Sequence, residues 1–187
     1  MNIFGNKVIL RSIEEEDLKF LRDIHNDPEI EKYIGGWSFP LSMRDQKLWF
    51  EKLSKNNSTI RLIIEEKSSH ELIGMTGLWN INWKDRNAHA GIMLVNNKKF
   101  RRKGYGTDAV MSLMRYAFEE LNLNRLDGDI IEYNKPNLGL YLKKCGWKKE
   151  GIRRQYIFRN NMYFGNILVG ILKEEYVNLI NDTKYWE

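Results

Sequence analysis

Cysteine, histidine and proline are scarce in this sequence, and it has no long apolar run. Cys145 is the only cysteine, which excludes an internal disulfide bond and a cysteine-based metal cluster. The three histidines, His25, His70 and His89, lack the spacing of metal ligands, so we expect no metal site. No segment approaches the roughly 20 apolar residues of a membrane helix, and the first residues lack the pattern of a signal peptide. We therefore expect a soluble cytoplasmic protein without a membrane partner.

What the chain does contain is enough apolar material for one core. With 187 residues, of which 42% are hydrophobic, it suits a single domain spanning 1–187, and no repeat, linker or low-complexity segment divides it. The formal net charge of +5 is compatible with an anionic partner, either nucleic acid or a phosphorylated small molecule. The positions of the cations decide between the two.

Hydrophobic periodicity predicts the order β-α-α-β-β-β-α-β-α-β-β along the chain. The clearest helix follows Gly106, where apolar residues recur at helical spacing up to Leu121. Asn160 and Asn161 suit a tight turn between the last two strands, because asparagine tolerates a positive φ. Strands before and after the central helix indicate an α/β protein with a mixed sheet and helices on its faces.

The stretch FRRKGYGTDA, residues 100–109, places two glycines at the start of that helix. The first turn of a helix offers unpaired backbone N–H groups and the positive end of the dipole, which together bind anions. Glycines at positions 104 and 106 let a ligand approach the backbone closely. Adjacent cations add full charges, so the stretch favours a pyrophosphate over a single carboxylate. The binding residues predicted here are Arg101, Arg102, Lys103, Gly104, Tyr105, Gly106 and Thr107.

Three kinds of phosphate-binding loop compete for this stretch. A Walker loop needs Gly-x-x-x-x-Gly-Lys-Ser/Thr, which RRKGYGTD does not match. GYGTDA does match the Gly-x-Gly-x-x-Gly/Ala pattern of dinucleotide-binding proteins, with Asp127 near the expected downstream acid. That pattern should follow a strand directly, whereas the polar NNKKFRRK intervenes here. The third kind is the Arg/Gln-x-x-Gly-x-Gly/Ala loop, which residues 101–106 match in full.

This third loop and its surroundings resemble the GNAT acetyltransferases. The resemblance runs from AHAGIML through EYNKPNLGLYLKKCGW, where Asn134 and Tyr141 stand at the family's spacing, and in broad layout it covers nearly the whole chain. The start, ILRSIEEEDLKFL, and ILKEEY near the end are similar to the RimJ/RimL-type branch. The resemblance implies a mixed, mostly antiparallel sheet of about seven strands flanked by about four helices. Its central strands would splay apart to hold acetyl-CoA.

The resemblance also implies an N-acetyltransferase, in which a primary amine attacks acetyl-CoA directly and CoA is released. Backbone groups of Met93, Leu94 and Val95 would hold the pantetheine arm and polarise the thioester carbonyl. Tyr141 would protonate or steady the leaving thiolate, and Asn134 would contact the pantetheine or cap its helix. Cys145, at the end of the same helix, is interpreted as a structural residue and not as a nucleophile.

The acceptor amine must lose a proton for the reaction to proceed. His89 stands where many members of the family carry glutamate, and the ordinary pKa of histidine, ~6.5, suits a general base near neutrality. Two alternatives remain open. Either His89 only lines the pocket, or water relays the proton and no single side chain acts as the base.

The sequence does not specify the acceptor. The aromatic residues Trp37, Phe39, Trp79 and Trp83 fall in the loop and strand ends that form the acceptor side in this family. The candidates are a polyamine, an amino sugar, an antibiotic or a peptide N-terminus. The acids of NDPEIEKY, residues 26–33, suit either a polyamine or a solvated helix end. Gly165 stands where related chains often have an acid.

Two other functions remain as alternatives. A catalytically silent GNAT protein would bind CoA as a sensor, although the presence of Tyr141 argues against it. A nucleic-acid binder would use the basic patches at 98–103, 143–149 and 153–159, but no motif of that class accompanies them. We therefore expect no nucleic-acid partner. Family habit also suggests a homodimer.

Overall fold

The computed structural model describes residues 1–36, 39–53 and 55–187. Within these ranges, eight strands form one continuous sheet. The strands are β1 (Ile3–Phe4), β2 (Val8–Ser12), β3 (Ile60–Glu66), β4 (Leu72–Asn82), β5 (Asn87–Leu94), β6 (Arg125–Ile131), β7 (Lys148–Arg159) and β8 (Met162–Leu172).

The same ranges contain six α-helices. They are α1 (Leu18–His25), α2 (Pro28–Glu31), α3 (Met43–Leu53), α4 (Tyr105–Arg115), α5 (Lys135–Leu138) and α6 (Lys173–Thr183). A 3₁₀ turn at Glu15–Asp17 leads into α1, and π-helical segments at Tyr116–Glu120 and Gly139–Lys144 extend α4 and α5. None of these helices combines the length and the apolar character that crossing a bilayer requires.

The strands lie in the order β1-β2-β3-β4-β5-β6-β8-β7, and all neighbours are antiparallel except β5 and β6. The parallel pairing of β5 with β6 is short and ends where His89 lies opposite Asp127. Beyond that point the rest of β5 pairs only with β4, and the rest of β6 pairs only with β8. The two central strands therefore separate and leave an opening in the middle of the sheet.

Helices cover both faces of the sheet with apolar side chains. On one face, α4 buries Val110, Met111 and Met114 in a large core that also contains Leu10 and Leu126 of the sheet. On the other face, Leu21 and Ile24 of α1 pack in a smaller cluster with Ile63, Met75 and Met93. Since side chains alternate along a strand, His89 points to the same face as Met93. The opening therefore lies between the two helical layers, with His89 on the α1 side.

The structure confirms the mixed, mostly antiparallel α/β architecture with splayed central strands. The sheet has one strand more than the sequence predicts, because β1 is only two residues long and shows no periodicity. Helix α2 is also an addition, capped by the side chain of Asp27, which accepts from the Glu29 N–H, and begun by Pro28. Both elements are too short for a hydrophobic pattern to reveal them.

Candidate active site

The first turn of α4 has the geometry of an anion site. Gly104 caps the helix in the left-handed conformation, with φ at 88°, which favours glycine. The Asp108 N–H donates to the Gly104 carbonyl over 3.0 Å, the first hydrogen bond of the helix. The N–H groups of Tyr105, Gly106 and Thr107 precede it and have no partner within the helix. They lie where the helix dipole is positive and where a phosphate binds best.

A buried carboxylate fixes this turn against the start of the sheet. Asp108 is fully buried and accepts from the backbone N–H groups of Asn6, Lys7 and Val8, at 3.0, 2.7 and 2.9 Å. It also accepts from the hydroxyl of Tyr185 at 3.0 Å. Because all of these donors come from distant parts of the chain, the carboxylate holds the anion site rigid and is itself unavailable to a ligand.

Cationic side chains surround the turn without blocking it. Arg101, Arg102 and Lys103 are exposed and directly precede the turn. The Lys7 ammonium group adds a fourth cation, because it donates to the Lys103 carbonyl over 2.8 Å and lies next to Gly104. Nothing in the sequence around Lys7 indicates this role, since 96 positions separate it from Lys103.

Gly106 joins the anion site to the opening between β5 and β6. A Cβ atom at this position would lie 3.1 Å from Leu94 Cδ1 and 3.5 Å from Leu140 Cδ2. Leu94 ends β5, and Leu140 directly precedes Tyr141. The start of α4 is therefore packed against both the splayed strand and the helical segment that carries the predicted acid.

The hydrogen bonding of β5 indicates which of its last residues can contact the pantetheine arm. The Val95 N–H donates to the Ile73 carbonyl over 3.0 Å, so this amide already belongs to the pairing with β4. Backbone groups of successive strand residues face opposite neighbours, so Met93 also faces β4, whereas Leu94 faces the opening. Of the three predicted residues, Leu94 has the orientation that a strand-like contact with the cofactor requires, whereas the Val95 N–H is already bound to β4.

A cavity of about 820 Å³ passes through the opening and reaches both faces of the sheet. On the α4 side it is lined by Tyr141 and Asn137, and on the α1 side by His25, Trp49 and Arg61. His89 and Asp129 lie on its wall where β5 and β6 separate. A donor entering from one face and an acceptor entering from the other would meet at this point.

His89 is held by a hydrogen-bonded chain that the sequence does not reveal. Its Nε2 lies 2.8 Å from Oδ1 of Asp129, and the side-chain amide of the buried Asn166 donates to Oδ2 of Asp129 over 2.7 Å. The bond from His89 holds the pKa of Asp129 below its ordinary value despite the opposing effect of burial, with a further contribution from Asn166. Asp129 therefore stays ionised at neutral pH and orients the imidazole, whose Nδ1 is left for other partners.

Tyr141 and Asn134 belong to one helical segment beside the cavity, with Asn134 at its start. Tyr141 is 3% exposed, lines the cavity and packs edge-on against Trp147, with ring centroids 4.9 Å apart. Burial raises the pKa of its hydroxyl well above the ordinary value, which favours a hydrogen-bond donor over a strong acid. Asn134 caps α5, because its side-chain oxygen accepts from the Asn137 N–H at 3.2 Å.

Cys145 is fully buried, and burial raises the pKa of its thiol to about 12. Such a thiol is neutral at physiological pH and cannot act as a nucleophile. The structural interpretation made from the sequence agrees with this environment.

The aromatic residues predicted for the acceptor side separate in space. Trp79 lines the cavity and contacts the His89 ring, with centroids 4.6 Å apart. Phe39 is 72% exposed, and Trp83 is 50% exposed with its Nε1 donating to the Asn57 carbonyl. Neither of these two lines the cavity. Trp37 lies outside the described residues.

The acids near α2 have partners of their own. Glu29 pairs with Lys32 at 2.5 Å, and Glu31 lies 3.4 Å from Arg159. At Gly165, where related chains often carry an acid, Glu132 takes the space instead and accepts the Gly165 N–H at 2.6 Å. Across 1–36, 39–53 and 55–187, no three His, Cys, Asp or Glu side chains come together as metal ligands would.

The comparison with protein families decides what this arrangement is. The family model described as "Acetyltransferase (GNAT) domain" matches residues 7–148, which include the anion site, the splayed strands and Tyr141. The chain belongs to the GNAT acetyltransferase family. It is an N-acetyltransferase that uses acetyl-CoA, and the geometry fits that donor. Free amides and cations can hold the diphosphate at the start of α4, and the opening beside Leu94 can hold the pantetheine arm.

Individual relatives of this GNAT protein extend over nearly its full length. The uncharacterized N-acetyltransferase p20 of Bacillus licheniformis is 30% identical over 93% of this chain and 97% of its own. The spermidine N(1)-acetyltransferase of Vibrio cholerae is 26% identical over 93% of this chain and 98% of its own. A crystal structure of the Vibrio cholerae spermidine N-acetyltransferase with CoA and spermine matches with a TM-score of 0.85 at 25% identity, covering 93% and 100% of the two chains.

Sequence reasoning about this GNAT protein misses the groups that depend on the register of distant strands. Asp129, Asn166 and Arg61 line or support the cavity, yet none stands in a motif. The one available signal is the alternation of Asp127 and Asp129 within an otherwise apolar strand. Acids at alternate strand positions share one face, and an acid on a covered face calls for a partner.

Proposed function

We propose that this protein transfers the acetyl group of acetyl-CoA to a small primary amine, which binds in the cavity on the α1 side of the sheet. The observation that carries this proposal is the placement of His89, held by Asp129, at the point where β5 and β6 separate. A base at this point lies between the donor opening and the acceptor side.

The donor site would act mainly by binding and orientation. The amides of Tyr105, Gly106 and Thr107 hold the diphosphate, together with the surrounding cations. The backbone of Leu94 aligns the pantetheine arm, and the bound donor supplies an activated acetyl group as a thioester. Asn134 acts as the helix cap and so supports Tyr141 indirectly. Fixing both substrates in one cavity supplies much of the rate acceleration.

Two side chains would manage the protons. His89, with Nε2 committed to Asp129, accepts the proton of the amine at Nδ1, directly or through water. The amine nitrogen forms the new bond to the acetyl carbon, the carbon–sulfur bond breaks, and CoA leaves. Tyr141 donates a hydrogen bond to the departing sulfur, and its high pKa makes stabilisation of the thiolate its main contribution.

The name of one relative supports a polyamine as one candidate acceptor, since the Vibrio cholerae protein that matches both by sequence and by structure is a spermidine N-acetyltransferase. Assignment to the RimJ/RimL-type branch, and with it a peptide N-terminus as acceptor, remains a second candidate supported by the similarity at both chain ends. A single domain spanning 1–187 and a cytoplasmic location likewise stay proposals that rest on the sequence.

A homodimer is proposed from the outer hairpin of the sheet. Strand β7 is at one edge of the sheet, and four residues of β7 and β8 are all at least half exposed: Tyr156, Phe158, Met162 and Tyr163. An exposed edge with apolar side chains is a pairing surface for a second copy of the chain. Light scattering should give twice the chain mass, and a variant with Phe158→Lys and Tyr163→Lys should be monomeric.

The direct test of the proposed function is a CoA-release assay over polyamines, amino acids, amino sugars, antibiotics and peptide N-termini. We expect turnover with at least one class, and His89→Gln should reduce it by about 100-fold or more, without a change in the Kd of acetyl-CoA. Normal acetyl-CoA affinity with no turnover for any class would instead indicate the catalytically silent CoA-binding sensor. Retention on DNA without acetyl-CoA binding would indicate the nucleic-acid binder.

A further inference from the structure

The cavity contains a guanidinium group that no carboxylate of the described chain neutralises. Arg61, on β3, lines the cavity, and its Nε is buried without a hydrogen-bond partner. Burial lowers the pKa of Arg61 to about 10, which still leaves the group charged at neutral pH. Arg61 as a whole is half-buried, and a charge partly withdrawn from water without a partner destabilises the folded state. Arg61 therefore lacks a partner that a ligand can supply.

The position of Arg61 leaves the terminal N–H groups of its guanidinium, but not the buried Nε, available to such a ligand. Its guanidinium carbon lies 4.3 Å from the centroid of the Trp79 ring. Stacking of this kind uses the flat face of the guanidinium, whereas its donors point outwards in the plane. The fork of N–H groups can therefore bind a carboxylate through two parallel hydrogen bonds while the stacking persists.

Two glycines shape the sheet surface for this pair of side chains. A Cβ atom at Gly77 would come within 3.1 Å of Arg61 Cδ, and one at Gly91 within 2.5 Å of Trp79 Cη2. Both glycines lie on neighbouring strands, directly opposite each other. Side chains at these two positions would collide with Arg61 and Trp79. The stack therefore depends on glycine at both positions, unlike a loose contact on the surface.

The carboxylates of the cavity wall are already engaged. Asp127 and Glu150 both bind Arg125, the former at 2.8 Å from its Nε. Asp129 is held by His89. A second guanidinium, that of Arg153, lines the cavity, is exposed, and forms no ion pair within the described ranges. Among the charged groups of the lining, those without an ion-pair partner in the described ranges are therefore the cationic Arg61 and Arg153.

We propose that Arg61 binds a carboxylate of the acceptor, so that the physiological substrate is an amine that also carries a carboxylate. This inference rests on the proposed function and names its substrate class. Trp79 lies between Arg61 and His89, since its ring contacts both. The carboxylate would bind Arg61 on one side of the Trp79 indole, and the reacting amine would lie near His89 on the other side. An α-amino group is too close to its own carboxylate for this, so the fitting acceptor is an ω-amino acid.

The test compares acceptors that differ only in the carboxylate. Lysine is paired with cadaverine and ornithine with putrescine, and kcat/KM is measured for each by CoA release. We expect the carboxylate-bearing member to be preferred at least tenfold in both pairs. Arg61→Gln should remove the preference mainly by raising KM, and Arg61→Lys should retain part of it. Arg154→Gln removes the same charge from an exposed residue outside the cavity and should change nothing.

Binding is measured in parallel, so that an amine without turnover still gives a result. Each acceptor is titrated by calorimetry into the protein saturated with CoA. A preference for the diamines, or equal affinity within each pair in both wild type and Arg61→Gln, overturns the role of Arg61. If calorimetry shows that the wild-type protein does not bind acetyl-CoA, the proposed function itself is overturned. This result is independent of Arg61.

Discussion

The donor site and the acceptor cavity are built from the chain in opposite ways. The anion-binding part of the donor site lies mainly on one continuous stretch, residues 101–107, in which the loop, three cations and the helix start follow one another, and Lys7 adds a further cation from a distant part of the chain. The acceptor cavity combines Arg61, His89 and Asp129 from three different strands, and the register of the sheet alone brings them together. A local arrangement survives as long as α4 forms, whereas the cavity depends on the correct pairing of β3 to β6. The chemistry of the first can be read from a motif, and that of the second only from the fold.

The largest expected effect is the loss of the local site by one inserted carboxylate. Gly106→Asp should weaken acetyl-CoA binding by more than about 100-fold, roughly 2.7 kcal/mol. The reason is that the new carboxylate would occupy the space next to the backbone where a phosphate binds and would repel it. Calorimetry measures the Kd. Gly106→Ala tests size alone, since its Cβ meets only Leu94 and Leu140, and should weaken binding by a few-fold.

A distant carboxylate provides the charge control for that variant. Asn178→Asp adds the same charge on the exposed surface of α6 and should leave the Kd unchanged. Unaltered affinity in Gly106→Asp would mean that the diphosphate binds elsewhere. The donor site could then no longer be described as a local site that contrasts with the composite acceptor cavity.

The next largest effect concerns the residue that orients His89. Asp129→Asn keeps the size of the side chain but replaces the acceptor of the imidazole hydrogen bond. We expect kcat to fall by about 10- to 100-fold, because the ring then loses its fixed tautomer. The Kd of acetyl-CoA should stay within twofold, since Asp129 does not touch the donor site.

A pH profile separates this positioning role from a merely structural one. The lowered pKa of Asp129 means that its stabilising contribution is present above the ordinary aspartate value, ~3.9, and is lost only as the pH falls through the lowered one. Asp129 therefore stays ionised across the neutral part of the kcat–pH profile, and Asp129→Asn, which removes that charge, should change the shape of the profile. An identical profile with a uniform loss of kcat would show that Asp129 only supports packing.

An intermediate effect is expected at Tyr141, which belongs to both regions. Its helix packs against the donor site through Leu140, and its ring lines the cavity. Tyr141→Phe should lower kcat by about tenfold and leave both KM values nearly unchanged, because only the hydrogen bond to the leaving sulfur is lost. A pre-steady-state measurement of CoA release tests this. Unchanged turnover would mean that water protonates the thiolate.

The same contrast explains how much the sequence could predict. Every helix and strand with clear periodicity is found. The residues of the phosphate loop are consecutive, and Asn134 and Tyr141 lie on one helical segment, so local spacing sets the geometry within each of these two motifs. Lys7 and Asp108, which lie 101 positions apart, complete the donor site. Asp129 cannot be assigned from sequence, since the parallel pairing that brings it to His89 spans only three residue pairs. Register between distant strands is a property of the whole core, and no local pattern encodes it.

The smallest effect is expected at Cys145, whose side chain contributes packing only. Cys145→Ala should leave kcat and KM within twofold and lower the free energy of unfolding by about 1 kcal/mol, because a small buried group is lost. Burial raises the pKa of the thiol to about 12, so the native protein should resist iodoacetamide at pH 8 and react only after unfolding. A loss of turnover comparable to that of His89→Gln, or a trapped acetyl-thioester at Cys145, would replace direct attack by a covalent route. The donor would then acetylate the protein first, and the acceptor would react with the acetylated protein in a second step.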